Sequence, residues 1–146
     1  MSRVTEIATE RVPEVVFGYT CANDVSARDL QAKDKQWGRA KGFDTFCPLG
    51  PWIVTHLSID EASDLDLRVT VTRQGETIER QHSSTKNLVH GIAELVSFVS
   101  SFTTLLPGDV ILTGTPAGVG RIEPGDVVNV EIEGIGTLSN PVVAAE

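Results

Sequence analysis

Hydrophobic and polar positions alternate most clearly between residues 65 and 81. Leu65, Leu67, Val69 and Val71 fall on one side of an extended segment, Gln74-Gly75 supplies a turn and Thr77 to Gln81 returns, a pattern that predicts a β-hairpin. From Asn87 the period changes. Leu88, Ile92, Leu95, Val96 and Val99 recur at three and four, which predicts a helix near 88 to 102 with one apolar face on a sheet. Pro51-Trp-Ile-Val-Thr begins a strand. Val110-Ile-Leu is expected as a short buried strand after Pro107-Gly-Asp, and Pro124-Gly-Asp precedes another at Val127 to Glu133. Thr9-Glu-Arg-Val-Pro-Glu-Val-Val-Phe predicts a short helix with Thr9 as cap and Pro13 in its first turn. Leu30 to Arg39, polar and rich in Lys and Asp, is expected as an exposed loop. Tight Pro-Gly-Asp corners before apolar runs, with one long helix, give a β-rich α+β fold class.

Composition narrows the function classes. At 146 residues the chain can bury a core, and a single domain over 1–146 is expected. A net charge of -8 and a pI near 4.8 argue against nucleic acid or an anionic membrane surface as partner. Cys21 and Cys47 form no Cys-x-x-Cys pair, so two small buried thiols are expected rather than a disulfide framework. The start has no apolar core of signal-peptide length and no apolar run is long enough to span a bilayer, so a cytoplasmic location is expected.

Three polar blocks carry the candidate chemistry. The first, Asn23-Asp-Val-Ser-Ala-Arg-Asp29, crowds two carboxylates besides a guanidinium into a short stretch after Val15-Val16-Phe17. Such charges need partners or a metal once they leave water. The second is Lys41-Gly-Phe-Asp-Thr-Phe-Cys-Pro-Leu-Gly-Pro51, and the third runs from Leu106-Pro-Gly-Asp to Thr113-Gly-Thr-Pro-Ala-Gly-Val-Gly120. Taken singly, each residue has a bland alternative: Asp24 as a turn cap, Arg28 and Asp29 as loop-shaping residues, Gln31 and Lys41 as solvated surface. Lys41 offers a compact positive charge and Gln31 both a donor and an acceptor, as suits a carboxylate or oxo group. Thr115, between Gly114 and Pro116, presents a hydroxyl to a ligand oxygen. Gly114 to Gly120 lacks the Gly-Lys-Ser/Thr ending and the following helix of a phosphate loop, which argues against that role. His56, His82 and His90 have no metal-ligand spacing.

Together, Asn-Asp-x-Ser-Ala-Arg-Asp-x-Gln, Lys-Gly-Phe-Asp and Thr-Gly-Thr-Pro-x-Gly-Val-Gly resemble the fumarylacetoacetate hydrolase superfamily over nearly the whole chain. The resemblance implies a mixed β-sheet roll or barrel with a few short helices, acting on small β-diketo or 2-oxo acids around Mg²⁺ (or Mn²⁺ or Ca²⁺). It implies Asp24 as a metal ligand, Gln31, Lys41 and Thr115 as substrate-binding residues, Lys41 and Glu131 as catalytic residues, and a homodimer. The family's Glu-x-Glu strand and its catalytic His-Glu lid would lie upstream of Met1, so an N-terminally truncated catalytic domain is expected. Glu131-Ile-Glu133 shares a strand face but stands at the wrong end of the family pattern to replace that pair. Hydrolysis of an acylpyruvate is expected first. Isomerisation or decarboxylation of a 2-hydroxyhepta-2,4-diene-1,7-dioate type substrate comes second, and a metal-free, inactive dimerisation module is the alternative of another class.

Overall fold

In the computed structural model, residues 3–144 are described. A 3₁₀ turn at Thr9–Glu14 leads into β1 (Tyr19–Ala22), α1 (Arg28–Asp34), α2 (Gly38–Lys41), β2 (Leu49–Val54) and α3 (Ile59–Ala62). Then follow β3 (Asp66–Arg73), β4 (Glu76–Ser84), a 3₁₀ turn at Thr85–Asn87, α4 (Ile92–Phe102), β5 (Val127–Ile132) and β6 (Gly136–Pro141).

The alternating segment forms the expected hairpin. Gln74 and Gly75 both adopt positive φ (51° and 86°), the combination whose twist matches that of paired strands. The four-stranded sheet has the order β4-β3-β5-β6, while β1 and β2 form a separate ribbon, and every pairing is antiparallel. Register fixes the faces: Leu67, Val69 and Val71 stand opposite Ile132, Val130 and Val128, so one face of the sheet is apolar. Val130, Leu138 and Ile135 pack there with Cys21 of β1, Val54 of β2 and Leu65. Both cysteines are free, Cys21 buried and Cys47 half-buried, and burial pushes the Cys21 thiol up.

A second cluster sits under α4, where Val96 meets Ile7 and Val12. Serines complete this helix face. Ser97 Oγ donates to the Ile7 carbonyl (2.7 Å), and the Ile7 amide donates to Ser100 Oγ (3.0 Å), so the N-terminal segment is hydrogen-bonded as well as packed. A buried ion pair closes the far end of the sheet. Arg73 Nε and Nη2 donate to Asp126 Oδ1 and Oδ2 at 2.7 and 2.8 Å, and the Glu123 amide donates to Oδ2 at 2.8 Å. Asp126 is 1% exposed, and the Arg73 guanidinium, with the Glu123 amide, holds its carboxyl down to about 2.

Several expectations change. Leu30 to Arg39 is not a loop: most of it belongs to α1 and α2, because Leu, Gln, Ala and Lys are good helix formers even where no apolar stripe marks them. α1 has no buried residue, so its exposure was legible and its conformation was not. Val110 to Leu112 form no strand, and Val110 and Leu112 are 51% and 40% exposed. An apolar run tells which residues favour burial, not whether the surrounding chain covers them. The long helix begins at Ile92 rather than at 88, with Gly91 in extended backbone as its cap and Glu94 accepting the Gly91 amide (3.0 Å). The first helix is 3₁₀, and Ala8 rather than Thr9 occupies its cap position. Among the described residues no helix is long and apolar enough to cross a membrane.

Candidate active site

Asp24 leaves the end of β1, where the Asn23 amide donates to Pro48 O (3.2 Å). Ser26 Oγ donates to Asp24 O at 3.2 Å, and the Ala27 amide reaches Ala40 O at 2.9 Å, which joins the start of α1 to the end of α2. That bond brings Lys41 over the first block. Its Nζ makes an ion pair with Asp24 Oδ2 and lies 5.5 Å from the centre of the Trp37 ring. Arg39 and Asp34 pair bidentately (2.7 and 2.6 Å), lowering the Asp34 carboxyl and raising the guanidinium, and so hold α1 and α2 together.

Arg28 pairs with Gln31: its Nη1 donates to Gln31 Oε1 at 2.8 Å. That bond fixes which end of the amide is oxygen and leaves the Gln31 nitrogen open to meet a ligand as a donor. The third block lies across β4, where Gln81 Nε2 donates to Thr115 Oγ1 (2.9 Å) and to Pro116 O (2.7 Å).

Asp24, Gln31, Lys41 and Thr115 line one continuous concavity of about 2330 Å³, together with Val69 and Val130 of the apolar sheet face. A single small-ligand pocket has roughly 300–1,000 Å³, so this is an open face. Glu131 does not join them. It stands opposite Arg68 and Thr137, and side chains alternate along β5, so it points to the face away from Val130 and Ile132 and is exposed. Gln81 and Trp37 were not singled out from the sequence. Gln81 is hard to find there because the β3–β4 register shifts between Val69 and Thr70. Counting back from the turn would set Arg80, not Gln81, opposite Val69.

The carboxylates present do not by themselves fit a resident divalent cation. Asp24 is occupied by Lys41, and among the described residues no three His, Cys, Asp or Glu side chains converge. Mg²⁺ favours near-octahedral oxygen coordination with carboxylate help. Calorimetric titration of the 146-residue chain with Mg²⁺ is therefore expected to give no saturation below about 1 mM, with Asp24→Ala indistinguishable from the parent. Micromolar binding lost in Asp24→Ala would show instead that Asp24 anchors a metal site.

Residues 1–143 match the fumarylacetoacetate (FAA) hydrolase C-terminal family. The chain belongs to that family. The fumarylacetoacetate hydrolase fold is also that of a 5-carboxymethyl-2-hydroxymuconate delta-isomerase from Mycobacterium smegmatis, 56% identical with a TM-score of 0.91 over 99% of this chain and 55% of that one. A mitochondrial oxaloacetate tautomerase of Xenopus laevis is 47% identical over 94% of this chain and 44% of its own length. A 2,4-didehydro-3-deoxy-L-rhamnonate hydrolase of a Sphingomonas strain is 40% identical over 84% of this chain and 45% of its own. These fumarylacetoacetate hydrolase relatives are thus isomerases, tautomerases and hydrolases. The chain spans about half the length of the curated relatives it matches (51%, 49% and 54% of three of them).

Proposed function

We propose that the concavity binds a small 2-oxo or 1,3-dicarbonyl acid and stabilises its enolate, with isomerisation or tautomerisation as the outcome. The observation that carries this is that Lys41, Gln31 and Thr115 line one concavity, each with a hydrogen-bond donor to offer there. The substrate's carboxylate and 2-oxo oxygen are acceptors. When the proton on the neighbouring carbon passes to water in the open concavity, negative charge develops on the 2-oxo oxygen, where the donors stabilise it more than they stabilise the neutral ketone, and return of a proton to oxygen or to another carbon completes the tautomerisation or isomerisation. Asp24 keeps the Lys41 ammonium at the concavity through their ion pair. The activities named for the delta-isomerase and the tautomerase favour this proton transfer. Acylpyruvate hydrolysis shares the enolate and adds an activated water, so it stands second, in line with the hydrolase relative.

Asp24 is the carboxylate this chain would lend to a Mg²⁺, Mn²⁺ or Ca²⁺ site completed by ligands outside the described residues. A homodimer goes with the proposal, as does a small-molecule partner in place of nucleic acid or membrane. Purified protein should accelerate loss of the enol band of oxaloacetate in proportion to its concentration, with EDTA and added Mg²⁺ run in parallel. Pyruvate release from an acylpyruvate without that acceleration would select the hydrolase. No effect on either compound would sink both readings and favour the dimerisation module.

A further inference from the structure

Gln81 does more than decorate a strand. Its amide nitrogen is 2.7 Å from Pro116 O, 3.4 Å from Ala117 O and 2.9 Å from Thr115 Oγ1. Carbonyl oxygens only accept, so the end of the amide that faces them must be the NH₂ group. That nitrogen cannot accept in turn. The Thr115 hydroxyl therefore receives a hydrogen bond from Gln81, and its own single proton is left to point elsewhere. Among the described residues no acceptor takes it.

The backbone supports the same arrangement. Gly118 has φ of +102°, and a Cβ built there would lie 1.9 Å from Arg80 O, a separation no side chain tolerates. The loop is thus laid directly on β4 at Arg80 and Gln81, where the register shift turns Gln81 to stand opposite Val69, on the side of the concavity. Bulges commonly re-aim one side chain beside a site.

We infer that Gln81 is a positioning residue: by engaging a lone pair of the Thr115 hydroxyl it leaves the hydroxyl proton to be donated to an anionic oxygen, carboxylate or enolate, of the bound ligand. This deepens the proposed function and rests on it for the nature of the ligand. Gln81 need not touch the ligand; it sets the direction of a proton on a residue that does.

The probe is oxalate, a small dianion, titrated calorimetrically into the full chain in EDTA, alongside NMR of the side-chain amides. Gln81→Glu is nearly isosteric but ionised at neutral pH; it repels the two carbonyls and accepts the Thr115 proton itself. Oxalate affinity should fall roughly tenfold or more in that variant, the scale of one hydrogen bond to a charged group. Thr115→Ser should bind like the parent. Thr115→Val should lose as much as Gln81→Glu, and the double variant no more than either, because both remove the same donor. Equal affinity of Gln81→Glu and parent, additive losses, or absence of oxalate binding by the folded parent overturns the inference. Should Gln81→Glu not fold, Thr115→Val decides alone: its oxalate affinity and its Gln81 amide resonances must both change. Failure of the proposed function is separable. Coupled oxalate losses without oxaloacetate enol turnover leave the inference standing and remove the reaction, whereas turnover with unchanged KM and kcat in Gln81→Glu keeps the reaction and removes the inference.

Discussion

Replacing Lys41 with methionine is expected to lower oxaloacetate tautomerisation by about 10²- to 10³-fold, the usual cost of removing one preorganised donor from a developing oxyanion. The ammonium is held from two sides, by Asp24 and by the face of Trp37. Methionine keeps an unbranched apolar stem against the indole but loses the charge, and it leaves Asp24 without its partner and facing the concavity. Substrate carboxylate would then meet a carboxylate where it had met a cation. Arginine should rescue poorly, because its planar fork cannot take the compact position of the ammonium. Initial rates across substrate concentration give the test. A Lys41→Met enzyme with more than one-tenth of the parent kcat would remove Lys41 from the chemistry.

The largest effect on stability is expected from Asp126→Asn. Both carboxylate oxygens of Asp126 accept from Arg73, and one also accepts the Glu123 amide. An amide turns its NH₂ toward donors that need an acceptor, so the asparagine leaves an unpaired group at a position that is 1% exposed. Its Tm should fall further than that of any other single substitution discussed above. The pH dependence has a definite sign. The folded carboxyl is held at about 2, below its ordinary 3.8, so its stabilisation is fully present above about pH 4 and is lost as pH falls toward 2. Thermal melts of parent and variant should therefore differ by a constant amount from pH 7 to about 5 and converge below pH 4. A gap that stays open at pH 2 would show that the pair contributes through packing rather than through ionisation.

Where a local rule decides the conformation, the residues were readable. The β3–β4 hairpin follows from Leu67, Val69 and Val71 alternating up to Gln74-Gly75, and α4 from apolar residues at three and four; both are present. The motif blocks led to Asp24, Gln31, Lys41 and Thr115, all of which line the one large concavity. What was hidden depends on distant parts of the chain. α1 and α2 have polar surfaces and are tied by Arg39–Asp34 and Ala27–Ala40 bonds, none of which leaves a periodic trace. β6 was not marked as a separate strand because Gly-Thr-Leu-Ser-Asn-Pro alternates only once with an apolar residue. Glu131 shows a different conflict. Family resemblance assigns it chemistry, yet its parity with Val130 and Ile132 already turns it from the apolar face. Gln81 depends on a bulge, and nothing in a single sequence marks which residue a bulge admits.

The exposed Val110 and Leu112, which line the concavity along with the exposed Phe17 and Leu106, also bear on how this polypeptide behaves at high concentration. Two such faces meeting would bury apolar area in a contact with no defined register. At neutral pH the net charge of -8 opposes such unspecific contact by mutual repulsion. Near the pI of about 4.8 that repulsion vanishes while the apolar attraction does not. Colloidal stability and folding stability therefore part company under mild acid: the Arg73–Asp126 pair is still ionised at a pH where charge repulsion between molecules is gone.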